Sequence, residues 1–111
     1  MIAKLENMRK ANVPSLCGGP GQAMFTMLFE RGVLPATVVK VTLEPGSGCG
    51  LHEHTTDSEL YFMLEGELVL LDDDDEIVLH AGDCEYCPRG HRHGAINRSD
   101  APATYLAVML P

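Results

Sequence analysis

The sequence has few basic residues and no long apolar run. Eight lysines and arginines stand against sixteen aspartates and glutamates, which gives a formal net charge of −8. Binding to a phosphate backbone needs a basic stripe, so we expect no nucleic-acid partner. No segment approaches the ~20 consecutive apolar residues that cross a bilayer, so we expect no membrane association. The excess of acidic residues does not exclude small-molecule ligands, because a buried cationic site can lie inside an acidic surface.

We also expect neither a secretory signal nor a disulfide framework. No long apolar run follows the positive charge near the N-terminus, so we expect a cytoplasmic protein. The chain has four cysteines, and without an export signal we do not expect them to form a disulfide framework. Cys84 and Cys87 have the spacing of a zinc knuckle or a redox pair. Residues three apart on a strand point to opposite faces, so we interpret both as ordinary packing or surface residues.

Short strands account for most of the chain. With 111 residues the protein builds one hydrophobic core, and its 11 glycines and 7 prolines are spaced as turns between short elements. Thr37 to Leu43 alternates between apolar and polar residues, which is typical of a half-buried strand. Further strands are expected at 60–64, 68–71, 77–79, 83–87, 93–97 and 104–110. The pattern predicts an all-β sandwich or barrel. The first 20 residues are the least readable: Ile2, Leu5 and Met8 fit one face of a helical turn or an edge strand followed by a loop.

Two stretches carry the functional signal: Gly46-x5-His52-x-His54-x4-Glu59-x6-Gly66 and Gly82-x5-Pro88-x-Gly90-x2-His93-x3-Asn97. His52 and His54 are two apart, so a strand aims both at one face. Glu59 opens the next strand, and His93 opens a later one. Three imidazoles with one carboxylate favour a first-row divalent metal, namely iron, manganese, nickel, zinc or copper. We therefore predict one metal ion bound by His52, His54, Glu59 and His93.

These stretches resemble the two motifs of the cupin superfamily and match both without a departure. The resemblance implies a jelly-roll barrel, or double-stranded β-helix, over residues 31–111. It implies the same four metal ligands, and it makes Asn97 similar to a residue that supports the barrel. Small cupins commonly form homodimers by exchanging N-terminal strands. Residues 1–30 would then pack on the barrel or on a partner subunit.

The resemblance leaves the reaction open, because the family includes oxygenases, isomerases, lyases and non-catalytic binding proteins. We favour a metal-dependent enzyme acting on a small oxygen-bearing metabolite, by oxygenase (oxidoreductase), isomerase or lyase chemistry. A non-catalytic small-ligand or metal sensor is the alternative, and a structural protein with a vestigial metal is a third. No catalytic base is evident, and Glu53 and Glu85 are only guesses. The candidate substrate-pocket residues are Tyr61, Met63, Tyr86, Cys49 and Arg89.

Overall fold

Ten antiparallel strands form two sheets in the computed structural model, which describes all residues from Met1 to Pro111. The strands are β1 (Lys10–Pro14), β2 (Gln22–Met27), β3 (Thr37–Leu43), β4 (Gly48–Glu53), β5 (Ser58–Glu65), β6 (Glu67–Asp72), β7 (Asp75–His80), β8 (Cys84–Cys87), β9 (Arg92–Ile96) and β10 (Ala103–Leu110). One sheet has the order β1-β2-β3-β10-β5-β8, and the other has the order β4-β9-β6-β7. The predicted all-β jelly-roll barrel is confirmed.

The core lies between the inner faces of the two sheets. On β3, Val39, Val41 and Leu43 are buried, while the two residues between them are only half-buried, as their alternation predicted. β10 pairs with β3 so that Tyr105 lies opposite Val41, and Tyr105 is almost fully buried. From the other sheet, Leu68 packs into the same apolar cluster. The larger sheet thus buries alternate residues of β3 against the core, whereas β6 of the smaller sheet buries three consecutive residues, 68–70.

Residues 1–30 extend the larger sheet instead of forming a separate unit. Two short 3₁₀ turns, Leu5–Asn7 and Leu16–Gly18, precede and follow β1. β1 and β2 form an antiparallel pair, and β2 continues the sheet by pairing with β3 of the same chain. Exchange of this segment between two subunits stays a prediction. Neither of the two helical turns has the length or the apolar character needed to span a membrane.

The turn at Gly66 shows how tightly the strands connect. Gly66 joins β5 to β6 with φ +79°, a left-handed conformation that favours glycine. A side chain here would also collide with the backbone of Pro102, just before β10. The hairpin therefore needs glycine for two independent reasons, and it fixes where β5 ends beside β10.

Candidate metal centre

The four predicted ligands come from both sheets. His52 lies near the end of β4, and His54 follows it just past the strand. His93 on β9 is the direct cross-strand partner of His52. Glu59 is the second residue of β5, in the opposite sheet. Closing the sandwich therefore brings a carboxylate from one sheet against three imidazoles from the other.

The donor atoms converge closely. His54 Nε2 lies 3.1 Å from His52 Nε2 and 3.0 Å from His93 Nε2. Glu59 Oε1 lies 3.0 Å from His93 Nε2, 3.1 Å from His54 Nε2 and 3.9 Å from His52 Nε2. His93 is fully buried, and His54 and Glu59 are buried as well. Four donors from remote parts of the chain thus surround one point.

A hydrogen-bond acceptor holds the outer nitrogen of each imidazole. His52 Nδ1 lies 2.7 Å from the carbonyl oxygen of Gly50, and His54 Nδ1 lies 2.8 Å from Asp57 Oδ1. His93 Nδ1 lies 3.0 and 3.1 Å from the two carboxylate oxygens of Glu85. Such acceptors keep the ring proton on Nδ1 and direct the Nε2 lone pair inward, as in most protein metal sites.

This donor set fits a metal ion. Three Nε2 lone pairs and a carboxylate oxygen at about 3 Å separations repel one another unless a cation lies among them. Imidazole and carboxylate together suit first-row divalent metals. The His52, His54, Glu59 and His93 group could therefore hold such an ion.

Without a metal, a proton takes the place of the cation. Burial disfavours the charged form of His93, but its hydrogen bonds to Glu59 and Glu85, together with their charges, outweigh this and raise its pKa to about 9. Burial likewise disfavours ionised Glu59, yet the nearby His52 ring, the hydrogen bond with His93 and the charge of the neighbouring imidazoles lower its pKa to about 2. The site is therefore built to hold positive charge between carboxylates.

A small cavity of about 240 Å³ lies beside the donors. It contains no lysine or arginine. Its apolar lining residues are Leu16, Phe25, Val39, Val41, Ala107 and Met109, and its remaining lining residues are Cys17, Cys49, His52, His54, Glu59, Tyr61 and Tyr105. Burial raises the pKa of Tyr61 and of Tyr105 well above the ordinary value, so both are neutral phenols. A larger groove of about 650 Å³, along 29–38 and the end of β10, contains none of the four donors.

Two of the five pocket candidates line this cavity. Tyr61 stacks on the His93 ring, with ring centroids 4.7 Å apart and planes inclined by 23°. Cys49 is buried, with its Sγ 3.7 Å from His52 Nδ1.

The other three candidates do not line this cavity. The Met63 side chain points inward from β5, but it packs inside the apolar core and has no exposed surface. Tyr86 is 53% exposed, because it lies opposite the outward-facing Leu60 on β5. Arg89 is exposed in the turn after β8. Neither Tyr86 nor Arg89 lines the cavity.

The acceptors behind the imidazoles were not predicted. Glu85 was only a guess for a catalytic base, and the structure places it behind His93 because it lies opposite Tyr61 in the β5–β8 pair. Asp57 was not singled out, although its position three residues after His54 was a usable signal. Cys17 was not singled out either, and the loop that carries it folds back over the cavity.

Comparisons with known proteins identify the family and the fold. A family model described as "Cupin domain" matches residues 39–109. The oxalate-binding protein of Thermotoga maritima is 26% identical, over 99% of this chain and 93% of its own length. The crystal structure of a predicted oxalate decarboxylase from Thermotoga maritima matches with a TM-score of 0.93 at 26% identity, covering 99% of this chain and 98% of that one. A sugar phosphate isomerase from a cupin superfamily, from Silicibacter pomeroyi, matches with a TM-score of 0.82 at 32% identity, covering 100% of this chain and 76% of that one.

Proposed function

The chain belongs to the cupin domain family, and from that membership we propose that it is a metal-dependent enzyme acting on a small oxygen-bearing molecule. The proposed metal ligands are His52, His54, Glu59 and His93. The convergence of three Nε2 atoms on one carboxylate oxygen, with every Nδ1 bonded outward, carries the proposal. A divalent ion held by these residues would supply a Lewis acid, able to polarise a carbonyl or enolate oxygen or to lower the pKa of bound water.

The cavity restricts the class of substrate. Neutral imidazoles and one carboxylate leave a divalent ion with a net charge near +1, which favours an anionic ligand that chelates through oxygen. Beyond the ligands, the lining is mostly apolar and has no basic side chain to bind a free phosphate. The best-matched substrate is a small molecule with chelating oxygens at one end and an apolar body at the other.

The chain's own groups have three tasks in this proposal. Glu85, Asp57 and the Gly50 carbonyl fix the imidazole orientations. The apolar lining excludes water from the ligand's body. Tyr61 and Tyr105, as buried neutral phenols, offer hydroxyl donors at the cavity wall. The reaction itself remains one of oxygenase, isomerase or lyase chemistry.

A second candidate is a non-catalytic module that binds a small ligand or a metal and reports it to a partner. The relative from Thermotoga maritima named as an oxalate-binding protein favours this alternative. Turnover separates the two candidates, since a sensor binds its ligand and returns it unchanged. We also propose that the protein is cytoplasmic and forms a homodimer. Light scattering on the whole chain checks the homodimer.

Elemental analysis on untagged protein purified without oxygen tests the metal proposal. We expect one divalent ion per chain, and His54→Ala and His93→Ala should lose it. His80→Ala is the matched control, because His80 is an exposed histidine on β7. Oxygen uptake and product analysis with a panel of small carbonyl and enol compounds then test catalysis. A full metal content in both ligand variants would contradict the proposal.

A further inference from the structure

Two cysteines far apart in the sequence meet at the cavity. Cys17 belongs to the 3₁₀ turn Leu16–Gly18, and Cys49 lies on β4. Their sulfur atoms and a ring nitrogen of His52 all lie within 4.8 Å of one another. Both residues line the cavity beside the candidate metal ligands. Neither thiol is a ligand in the proposed metal centre.

The backbone holds the two thiols together. The loop that carries Cys17 is closed by a hydrogen bond from the Ser15 amide to the Gly21 carbonyl, at 3.0 Å. It is fixed to β4 by a second bond, 2.9 Å from the Gly48 amide to the Pro20 carbonyl. A side chain at Gly50 would collide with the Cys17 carbonyl, so glycine at this position permits the close approach. The thiol pair is therefore held by fixed backbone contacts between the loop and β4.

The two thiols differ in accessibility. Cys17 is exposed, whereas Cys49 is buried. Cys17 also has φ +49°, a left-handed conformation in which glycine is less strained. An exposed thiol next to a buried second thiol is the arrangement in which one cysteine meets an oxidant and the other resolves the product.

We propose that Cys17 and Cys49 form a reversible dithiol–disulfide pair that is oxidised by hydroperoxides. The Cys17 sulfur attacks the peroxide and breaks its O–O bond, giving a sulfenic acid and, with hydrogen peroxide, one water. The Cys49 sulfur then attacks the Cys17 sulfur, so that the S–S bond forms, the S–O bond breaks, and the hydroxyl group leaves with the Cys49 proton as a second water. Two thiols are thus oxidised while one molecule of hydrogen peroxide is reduced to two waters, and two external thiol groups reverse the change as they form a disulfide of their own.

The disulfide would act on the cavity because of where it forms. It would join the Leu16–Gly18 turn covalently to β4, three residues before His52. The turn would then be fixed over the cavity that the substrate must enter. Cys84 and Cys87 do not form an equivalent pair, since they lie three residues apart on β8 and therefore point to opposite faces of the strand.

Free-thiol counting tests the proposal on the whole protein as purified. After mild hydrogen peroxide treatment and denaturation, we expect the four free thiols to fall to two and to return to four with dithiothreitol. Cleavage after Lys and Arg and before Asp places Cys17 in peptide 11–31, Cys49 in 41–56, and both other cysteines in 83–89. Mass spectrometry should find 11–31 joined to 41–56.

Matched variants complete the test. Cys84→Ser should still lose two thiols and form the same crosslinked peptide, whereas Cys17→Ser should form no crosslink. Gly50→Ala should reduce the crosslink, because the added methyl group separates the loop from β4. The proposal is overturned if Cys17 proceeds to sulfinic acid while Cys49 stays free, or if peptide 83–89 carries the crosslink.

Discussion

Glu85 provides the sharpest test of how the metal centre is held. Its carboxylate receives the Nδ1 proton of His93 at 3.0 Å, and the two side chains are only 13% and 0% exposed. A hydrogen bond to a charged group contributes about 1.5–3 kcal/mol, and a neutral one about 0.5–1.5 kcal/mol. Glu85→Gln keeps the size and one acceptor but removes the charge. We therefore expect it to weaken metal binding by about 1–1.5 kcal/mol, or roughly tenfold.

Glu85→Ala should have a larger effect. It leaves the buried His93 Nδ1 proton without an acceptor, so both the tautomer and the orientation of the ring become less fixed. Loss of such outer hydrogen bonds lowers metal affinity by roughly 10–100-fold in other proteins, and we expect the upper part of that range. We therefore expect the metal affinity to decrease in the order wild type, Glu85→Gln, Glu85→Ala.

The assay is competition for Zn²⁺ or Co²⁺ against a fluorescent chelator at neutral pH. Glu67→Gln is the matched control, because the Glu67 carboxylate lies 3.4 Å from His80 Nε2 in an exposed pair. It removes the same charge and a His–Glu contact away from the site. Unchanged affinity in both Glu85 variants would refute the reasoning, and an equal loss in Glu67→Gln would show a net-charge effect instead.

Three further outcomes concern stability and are measured by chemical denaturation. Asn97→Ala should lose about 2–4 kcal/mol, because the fully buried Asn97 amide donates to two backbone carbonyls at 2.8 Å that would be left unpaired. Gly66→Ala should destabilise the β5–β6 hairpin by at least about 1 kcal/mol, since its φ is +79°; a neutral result would contradict the turn geometry. In metal-free protein, the contribution of His93 to the free energy of unfolding is complete below its ordinary pKa of 6.5 and is lost as the pH rises to about 9. The contribution of Glu59 is complete above its ordinary pKa of 4.5 and is lost as the pH falls to about 2, so stability should be greatest between about pH 4.5 and 6.5. His93→Gln should reduce the change in stability on both the acid and the alkaline side of this range.

The local pattern of the chain was enough to predict the candidate ligands and seven of the ten strands, β3 and β5 to β10, but it gave no ranges for β1, β2 and β4. Period-two burial on β3 follows from the alternation of Val39, Val41 and Leu43. The same rule places His52 and His54 on one side of the chain, and turn glycines such as Gly66 mark where strands end. These features depend on residues close together in sequence, so the sequence alone determined them.

Tertiary structure decided which remote strands pair, and therefore what surrounds the ligands. Pairing of β5 with β8 sets Glu85 behind His93 and turns Tyr86 outward, a result that neither strand encodes by itself. The return of the N-terminal loop onto β4 brings Cys17 to Cys49. The physical reason is that the alternation of side chains between the two faces is a local property of each strand. The register between strands and the packing of loops form only when the two sheets close around one core.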